Sequence, residues 1–494
     1  MEIRLKKGSR NPLHLQIAEQ VREGILKGAI PEGGRLPPSR RLARALGVNR
    51  STVVQAYNQL WSEGLVEGHV GRGTVVRGAT RPARKRIGPP SWDLLLSSRP
   101  EALEREVQDL VRLFARENVI SLAAGLPPQE FYPVDALREA AGEILAGEKR
   151  GLLQWCPVEG ALPFRRHLAE RVGGSSPSEI MVLTGSTQGI YLLTDIFVEP
   201  GDAVVVQSPT YLGALQIFRG AGARVVGVPS EEGGMDLDLL EGVLSRTRPK
   251  FLYVIPTFQN PAGGTMTLDE RKALLELAYR FRVPVVEDDP YSPLRYEGEP
   301  VPSLKALDTQ DHVIYLSSFS KMLIPGLRIG WLAAPRRVVE RLAAAKHLAD
   351  LFTDSLSQTV VDHFCRSGLL EEHLKRVRAV YAERREKMIG ALRRYAPGIR
   401  FVKPEGGFFI WGRLPAGVGA RPLLRQALSR GVSFVTGDIF YPDERGRDRI
   451  RINFATQPPE LAEEGIKRLG RALRAEQKSG AKEKEEEIAL KPIV

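Results

Sequence analysis

From about residue 180 onward, short apolar runs alternate with longer stretches of helical periodicity. The short runs are rich in Val, Ile, Leu and Tyr and lie at residues 180–183, 203–206, 252–255, 283–286 and 313–316. Strands separated by helices are joined by crossover connections, which place the strands parallel in one sheet covered by helices. The alternation therefore predicts an α/β domain with a mostly parallel sheet.

Each of these predicted strands is followed within a few residues by polar, glycine-containing or titratable residues. The segments concerned are 184–188, 208–211, 260–261, 288–291 and 318–321. In open α/β sheets, ligands bind in a crevice outside the carboxyl ends of the strands. We therefore expect these five segments to converge on one crevice.

The sequence after the predicted sheet changes character. A long amphipathic stretch at residues 373–395 precedes shorter predicted strands at 408–411 and 449–454, which favours a smaller α+β subdomain. The tail at 476–494 is highly charged and low in aromatic residues, which is typical of disordered segments. We place the α/β domain with its subdomain at residues 118–475.

The first 46 residues predict two helices. Ile17, Val21 and Ile25 recur at helical spacing, and the Pro-Glu-Gly-Gly segment at residues 31–34 ends this pattern. Ser39 is a candidate cap for a second, short helix. The spacing therefore predicts a pair of helices separated by a turn.

A third helix and a hairpin are predicted next. Residues 47–49 form a turn into a helix that Gly64 is placed to end. Residues 65–70 and 74–76 are typical of two short strands around the basic tip at 71–73. Three helices followed by a basic hairpin predict a winged helix-turn-helix domain, which we place at residues 1–78.

Positive charge is concentrated at the N-terminal end. Residues 1–90 hold 17 Lys and Arg against six Asp and Glu, whereas the remaining residues nearly balance at 54 against 53. Basic side chains that neutralise phosphates release condensed counterions, so the excess indicates a polyanionic partner, the alternative being a solvated basic face. Residues 79–117, basic and proline-rich at first and amphipathic at 101–114, are interpreted as an interdomain linker.

Several classes of protein are not expected. Two cysteines, Cys156 and Cys365, are too few for a disulfide framework and form no metal-ligand pair, so no metal site is expected. The start of the sequence lacks a secretory signal, and no run approaches the roughly 18 apolar residues of a spanning helix. We expect a soluble, cytoplasmic protein.

Residues 118–475 resemble the fold-type-I aminotransferases that use pyridoxal 5'-phosphate. The resemblance rests on the ordered occurrence of Gly185-Ser186-Thr187, Asn260-Pro261, Asp288-Asp289-Pro290-Tyr291, Ser318-Phe319-Ser320-Lys321 and Pro325-Gly326-Leu327-Arg328. It implies that Lys321 is the catalytic lysine that forms a Schiff base with the cofactor, a role that requires a reactive amine. Taken alone, Lys321 would be interpreted as an ordinary surface lysine.

The same resemblance implies the rest of the cofactor site. Asp288 would pair with the pyridine nitrogen of the cofactor, and the adjacent Asp289 is the competing carboxylate. Tyr291 and Asn260 would hydrogen-bond the phenolic oxygen, although a packed tyrosine and an Asn-Pro turn would have the same sequence. Tyr211 would stack on the ring. The predicted phosphate ligands are Gly185, Ser186, Thr187, Ser318 and Arg328.

Substrate-binding residues are also implied. Arg451, within Arg449-Ile450-Arg451-Ile452-Asn453-Phe454, would bind an amino acid's α-carboxylate. Strand alternation places Arg449 on the same face, so spacing alone leaves both arginines open. Gly125 would contact the same carboxylate. Trp155 stands where relatives usually carry a tyrosine that reaches the phosphate of the partner subunit.

Residues 12–76 resemble the GntR family of winged helix-turn-helix regulators. The resemblance rests on Leu36-Pro37-Pro38-Ser39-Arg40-Arg41-Leu42-Ala43, Gly47-Val48-Asn49-Arg50-Ser51-Thr52-Val53 and Gly71-Arg72-Gly73-Thr74. Contacts with double-stranded DNA are then expected at Arg40, Arg50, Ser51, Thr52, Arg72 and Gly73. Helix-turn-helix modules also mediate protein interactions, which is the competing interpretation.

Together the two halves resemble the MocR group, which includes GabR-type regulators. The resemblance implies a homodimeric transcription regulator whose aminotransferase-like domain responds to pyridoxal phosphate, an amino acid or both. The main alternative is a working aminotransferase with an appended DNA-binding domain. A third is a nonspecific nucleic-acid binder.

Overall fold

The computed structural model describes residues 3–6, 8–9, 11–69, 73–77, 118–146, 155–231, 233–443 and 445–489. The chain divides into two compact units, Met1–Ser97 and Ser98–Val494.

The first unit contains the three predicted helices and the predicted hairpin. Its buried core joins Ile17, Val21, Val53 and Leu60, so the periodic apolar residues of the first helix pack against those of the third. The hairpin strands are antiparallel. The elements are helices α1 Leu13–Leu26, α2 Ser39–Leu46 and α3 Arg50–Ser62, and strands β1 Val66–His69 and β2 Gly73–Val76.

One capping prediction in this unit is wrong. Ser39 is the first residue of α2 and the N-cap is Pro38, which makes no side-chain cap. A residue inside the helix has left the extended conformation that a capping side chain needs. Asn49 does cap α3, accepting a hydrogen bond from the Ser51 amide at 3.3 Å. Residues 70–72, which include two of the three residues of the predicted hairpin tip, and the predicted linker with its amphipathic stretch lie outside the described residues.

The second unit is built on an eight-stranded sheet in the order β4-β11-β10-β9-β8-β5-β6-β7. The pairs that join β10, β9, β8, β5 and β6 are parallel, whereas β11 is antiparallel to both of its neighbours. The strands are β4 Ile180–Leu183, β5 Ala203–Ser208, β6 Arg224–Glu231, β7 Gly234–Met235, β8 Leu252–Val254, β9 Val285–Asp288, β10 Val313–Ser318 and β11 Gly330–Ala333.

Helices cover both faces of this sheet, which explains why its strands carry runs of consecutive apolar residues, as at 180–183 in β4 and 203–206 in β5. In β5, Val204 and Val206 belong to one buried cluster and Val205 to another, because successive side chains of a strand point to opposite faces. The helices are α4 Val134–Ala146, α5 Leu162–Val172, α6 Ser186–Phe197, α7 Leu212–Gly220, α8 Leu237–Thr247, α9 Leu268–Phe281, α10 Leu304–Leu307, α11 Phe319–Met322, α12 Arg336–Asp350 and α13 Ser355–Arg366.

A smaller α+β part completes the unit. Its four-stranded sheet has the order β12-β13-β16-β15, and a two-stranded sheet pairs β14 with β3. The remaining strands are β3 Ile120–Ser121, β12 Arg400–Phe401, β13 Phe409–Arg413, β14 Val432–Ser433, β15 Val435–Thr436 and β16 Arg449–Asn453; the remaining helices are α14 Leu369–Tyr395, α15 Ala420–Leu428 and α16 Pro459–Ala489.

The predicted fold class is confirmed, and the C-terminal tail differs from expectation. Helix α16 continues to Ala489, whereas the sequence favoured disorder after Glu476. Lys, Glu and Ala are good helix formers and can extend a helix whose first turns are already packed. No helix within the described residues is long and apolar enough to cross a membrane.

Candidate functional site

The segments that follow five strands of the large sheet lie at one edge. Strands β5, β8, β9 and β10 are parallel, and β4 has the same direction because two antiparallel pairings separate it from β10. A cavity of about 370 Å³ at this edge, the strand-edge cavity, is lined by every predicted cofactor and substrate residue: Gly125, Gly185, Ser186, Thr187, Tyr211, Asn260, Asp288, Tyr291, Ser318, Lys321, Arg328 and Arg451.

Asp288 ends strand β9 and is buried. One carboxylate oxygen, Oδ2, accepts a hydrogen bond from the hydroxyl of Tyr253 at 2.6 Å. The other, Oδ1, is buried without a hydrogen-bond partner. A buried acceptor left unpaired costs free energy, so this atom fits a donor supplied by a bound molecule, such as a protonated pyridine nitrogen.

Burial raises the pKa of Asp288 to about 7, against a smaller opposing effect of the Tyr253 hydrogen bond. A positively charged group at Oδ1 would favour the ionised carboxylate. The neighbouring Asp289 is engaged elsewhere, since it accepts hydrogen bonds from the Ser292 amide and the Tyr315 hydroxyl, each at 3.1 Å. The structure thus distinguishes two carboxylates that are adjacent in sequence.

Lys321 lies on α11, three residues after the end of β10. Its Nζ donates a hydrogen bond to the carbonyl oxygen of Gly125 at 2.6 Å. Burial lowers the pKa of Lys321 to about 8, and the positive charges of Arg451 and Arg328 act in the same direction. An amine with this pKa is partly neutral near pH 7 and is therefore able to act as a nucleophile.

Arg328 and Gly185 lie together at one end of the cavity. The Arg328 Nη2 donates to the carbonyl of Thr184 at 3.0 Å, and Arg328 adopts a left-handed conformation with φ of 53°. Gly185 has φ of 87°, and a Cβ there would lie 2.5 Å from Nη2 of Arg328. Only glycine allows the guanidinium to lie this close to the backbone.

The start of helix α6 adds backbone donors to this end. Gly185 is its N-cap and provides no side-chain cap, so the first amides of α6, beginning at Ser186 and Thr187, have no intrahelical acceptors. The positive end of the helix dipole also favours an anion. Ser318 lines the same cavity, and its hydroxyl hydrogen-bonds with the Ser320 hydroxyl at 2.9 Å. These groups fit a phosphate.

Arg451 is also buried in the lining of the strand-edge cavity. Its Nη1 donates to Oδ1 of Asn260 at 2.8 Å and its Nη2 to the carbonyl of Ala123 at 2.9 Å, while Nε is buried without a partner. The guanidinium lies 4.2 Å from the ring centroid of Phe409 and 4.9 Å from that of Phe440. A buried cation with an unpaired donor fits a carboxylate ligand.

The structure also shows that Arg451 and Arg449 line different recesses. Arg451 lines the strand-edge cavity, whereas Arg449 lines a different cleft nearer the surface. Both side chains lie on the same face of β16, as alternation predicts, but they lie two residues apart along the strand. Distance along the strand, which periodicity does not address, decides which arginine reaches the cavity.

The other aromatic residues singled out in the sequence differ in their contacts and exposure. Tyr291 is buried against the rings of Phe408 and Phe409, and burial raises its pKa. Burial likewise raises the pKa of Tyr211. Trp155 is 61% exposed, with its ring 5.1 Å from that of Phe352.

Three residues of this site were not predicted from the sequence. Tyr253 lies in the middle of strand β8, where a tyrosine is interpreted as part of the core. Phe409 and Phe440 flank the guanidinium of Arg451. No sequence pattern distinguishes an aromatic residue that packs against a buried arginine from one that packs in the core. All three act through contacts between segments that are distant in sequence.

In the first unit, the predicted DNA contacts lie at the start of α3 and nearby. Arg50 and Ser51 are exposed and Thr52 is partly exposed in its first turn. Arg40 on α2 and Gly73 in the hairpin are exposed as well, and Nε of Arg50 lies 3.5 Å from the Ser39 hydroxyl. Arg72 lies outside the described residues. An exposed helix start of this kind is able to enter the DNA major groove.

Two family profiles match the chain. The profile of aminotransferase class I and II covers residues 117–469, and the profile of the bacterial regulatory proteins of the gntR family covers residues 13–76.

Relatives with both parts are similar over nearly the whole chain. The uncharacterized HTH-type transcriptional regulator YdfD of Bacillus subtilis is 32% identical over 94% of this chain and 97% of its own. The probable rhizopine catabolism regulatory protein MocR of Rhizobium meliloti is 30% identical, covering 95% of each chain.

A solved aminotransferase is similar to the second unit. LysN, an α-aminoadipate aminotransferase from Thermus thermophilus crystallised with N-(5'-phosphopyridoxyl)-L-leucine, is 39% identical with a TM-score of 0.73. The match covers 78% of this chain and 98% of LysN. The predicted cofactor, pyridoxal phosphate, is thereby confirmed at the level of the family.

Proposed function

The chain belongs to the aminotransferase class I and II family and carries a GntR-type DNA-binding domain, and on this premise we propose that pyridoxal phosphate, an amino acid or both control its binding to DNA. The observation that carries the proposal is the strand-edge cavity, in which Lys321, Asp288 and Arg451 present a reactive amine, an unpaired carboxylate oxygen and an unpaired guanidinium donor. The effector would bind one arrangement of the protein better than another, which is the requirement for control.

The residues of the cavity have different roles in this proposal. Pyridoxal phosphate supplies an aldehyde that captures amines and a ring that accepts electrons. Arg328 and the start of α6 would hold the phosphate, and Asp288 would keep a proton on the ring nitrogen. Lys321 provides the neutral amine, and Arg451 binds an amino acid's carboxylate.

The test is binding to the DNA upstream of the protein's own gene. Affinity is measured with and without pyridoxal phosphate and each amino acid of a panel, while visible absorption reports capture of the cofactor. An unchanged affinity under every condition would contradict effector control. A homodimer reading paired half-sites predicts two protomers bound per operator.

Cofactor capture is expected to depend on pH. The neutral form of Lys321 grows about tenfold per pH unit below its pKa and saturates above it, so the rate of capture should rise with pH and level off above about 8. Rapid-mixing absorbance measurements between about pH 6 and pH 11 give this profile.

The variant Asp288→Asn serves as the control for this profile. It removes a negative charge that raises the pKa of Lys321, so the rise should move to lower pH. If the rate of capture rose around pH 10.5, the ordinary pKa of lysine, in both proteins, the assignment of Lys321 as the reacting amine would be contradicted.

Sequence-specific binding to DNA is tested by substituting Arg50. Arg50→Ala should weaken operator binding by about 1–3 kcal/mol and reduce the preference for operator over random DNA. Lys27→Ala is a charge-matched control, because Lys27 pairs with Glu23 on α1. Titrations of both sequences at fixed salt give the affinities. A nonspecific binder would lose affinity equally for both sequences.

A second candidate function is that of a working aminotransferase with an appended DNA-binding domain. It is favoured by the presence in one cavity of Lys321, Asp288, Asn260, Arg328 and Arg451. Many turnovers with an amino acid and a 2-oxo acid, without specific DNA binding, would establish it over the regulator.

A further inference from the structure

A second cleft, the arginine cleft, lies beyond the strand-edge cavity on the same face of the small sheet. Its volume is about 770 Å³, and five arginines line it: Arg400, Arg413, Arg445, Arg447 and Arg449. Trp411 lines the cleft too, and it packs against Phe440 of the strand-edge cavity. The centroids of the two rings are 5.8 Å apart. The two recesses are therefore neighbours.

Strand register brings the arginines together. Arg413 on β13 is paired with Arg449 on β16 and with Arg400 on β12. Residues that face each other across neighbouring strands share a face of the sheet, and their Cβ atoms lie about 5 Å apart. Like charges on residues directly opposite each other repel, so this arrangement lowers stability unless anions balance the arginines.

The cleft contains few carboxylates to balance these charges. Among the described lining residues the one acidic side chain is Asp448, which lies 3.0 Å from Nε of Arg413 and 3.8 Å from Nε of Arg449. Arg445 pairs with Asp443 at 2.8 Å. Two carboxylates, Asp448 and Asp443, thus face four arginines at positions 400, 413, 445 and 449, so positive charge is in excess among these described residues.

Two serines add polar groups to the wall. Ser208, at the end of β5, accepts a hydrogen bond from Nη2 of Arg445 at 3.1 Å. Ser230, the last residue but one of β6, is 8% exposed, and its hydroxyl has no hydrogen-bond partner. A buried hydroxyl without a partner in a basic cleft fits an acceptor carried by a ligand.

We propose that the arginine cleft binds a small anion carrying phosphate groups. Guanidinium groups bind phosphate oxygens in pairs of parallel hydrogen bonds, and the volume is within the range of small-molecule sites. Trp411 and Tyr441 provide aromatic walls. The recess favours a small molecule over duplex DNA, whose phosphates lie on a convex surface.

The test is calorimetric titration of the full-length protein with inorganic pyrophosphate. The protein is first saturated with pyridoxal phosphate, so that the phosphate-binding end of the strand-edge cavity is filled. We expect Arg400→Gln combined with Arg413→Gln to weaken pyrophosphate binding at least about tenfold, the loss of one charge-assisted hydrogen bond or more. Arg336→Gln, which alters an exposed arginine paired with Glu340 on α12, should leave it unchanged.

Asp448→Asn provides a test with the opposite sign. It removes the carboxylate that competes for Arg413 and Arg449, so pyrophosphate should bind several-fold more tightly. A misfolded variant would not gain affinity.

Three results would overturn the proposal. The first is no heat of binding at pyrophosphate concentrations of about 1 mM. The second is an equal loss in the Arg336→Gln protein, which would indicate a general charge effect. The third is weakened binding of duplex DNA, with pyrophosphate binding intact, in the Arg400→Gln, Arg413→Gln protein, which would identify a DNA-binding surface instead.

Discussion

Replacing Lys321 with alanine is expected to abolish covalent capture of pyridoxal phosphate completely. Lys321 is the one lysine among the described residues that line the strand-edge cavity, and its pKa of about 8 leaves a usable fraction of neutral amine near pH 7. Borohydride reduction followed by peptide mass analysis should label Lys321 in the unaltered protein and no residue in the variant. Any response of DNA binding to the cofactor that depends on this link should be lost with it.

Lys250→Ala is the control for this prediction. Lys250 is an exposed lysine that pairs with Asp202 away from the cavity, so its removal should leave cofactor capture unchanged. Because the residues that fit the phosphate are intact in Lys321→Ala, that variant should still bind the cofactor noncovalently, which excludes unfolding as the cause. Reducible labelling that persisted in Lys321→Ala would refute the assignment.

The second large effect is expected at Arg451. Arg451→Gln should weaken the binding of a responsive amino acid by about 2–5 kcal/mol, because a carboxylate would enter a buried site without its cationic partner. This corresponds to a loss of affinity of roughly 30-fold to several thousand-fold. The measurement is the amino acid concentration that half-saturates the change in visible absorption of the cofactor-loaded protein.

Arg449→Gln is the discriminating comparison, since alternation along β16 left both arginines open. It lies outside the strand-edge cavity, so amino acid affinity should change less than about twofold. Equal losses in the two variants would show that the carboxylate is bound elsewhere. In the Arg451→Gln variant, the glutamine amide retains a donor for Asn260 or the Ala123 carbonyl. Thermal unfolding of both variants checks that the fold is intact.

Much of the site followed from local sequence. The apolar runs predicted strands, and the rule that ligands lie at the carboxyl ends of parallel strands predicted that Gly185, Asn260, Asp288 and Lys321 would meet. The structure brings these residues together in one cavity. Periodicity could not choose between adjacent carboxylates or between alternate arginines, because it gives the face of a strand and not the position along it.

The sequence by itself determined the order of elements, the winged helix-turn-helix, the mostly parallel sheet and the segments that carry its chemistry. These depend on periodicity and turn residues, which act over a few neighbouring positions. The tertiary structure alone decided that Tyr253 pairs with Asp288, that Phe409 and Phe440 flank Arg451, and that the arginines of three strands share one cleft. Those contacts join residues that are distant in the chain, and only the packed arrangement of strands and loops fixes their separation.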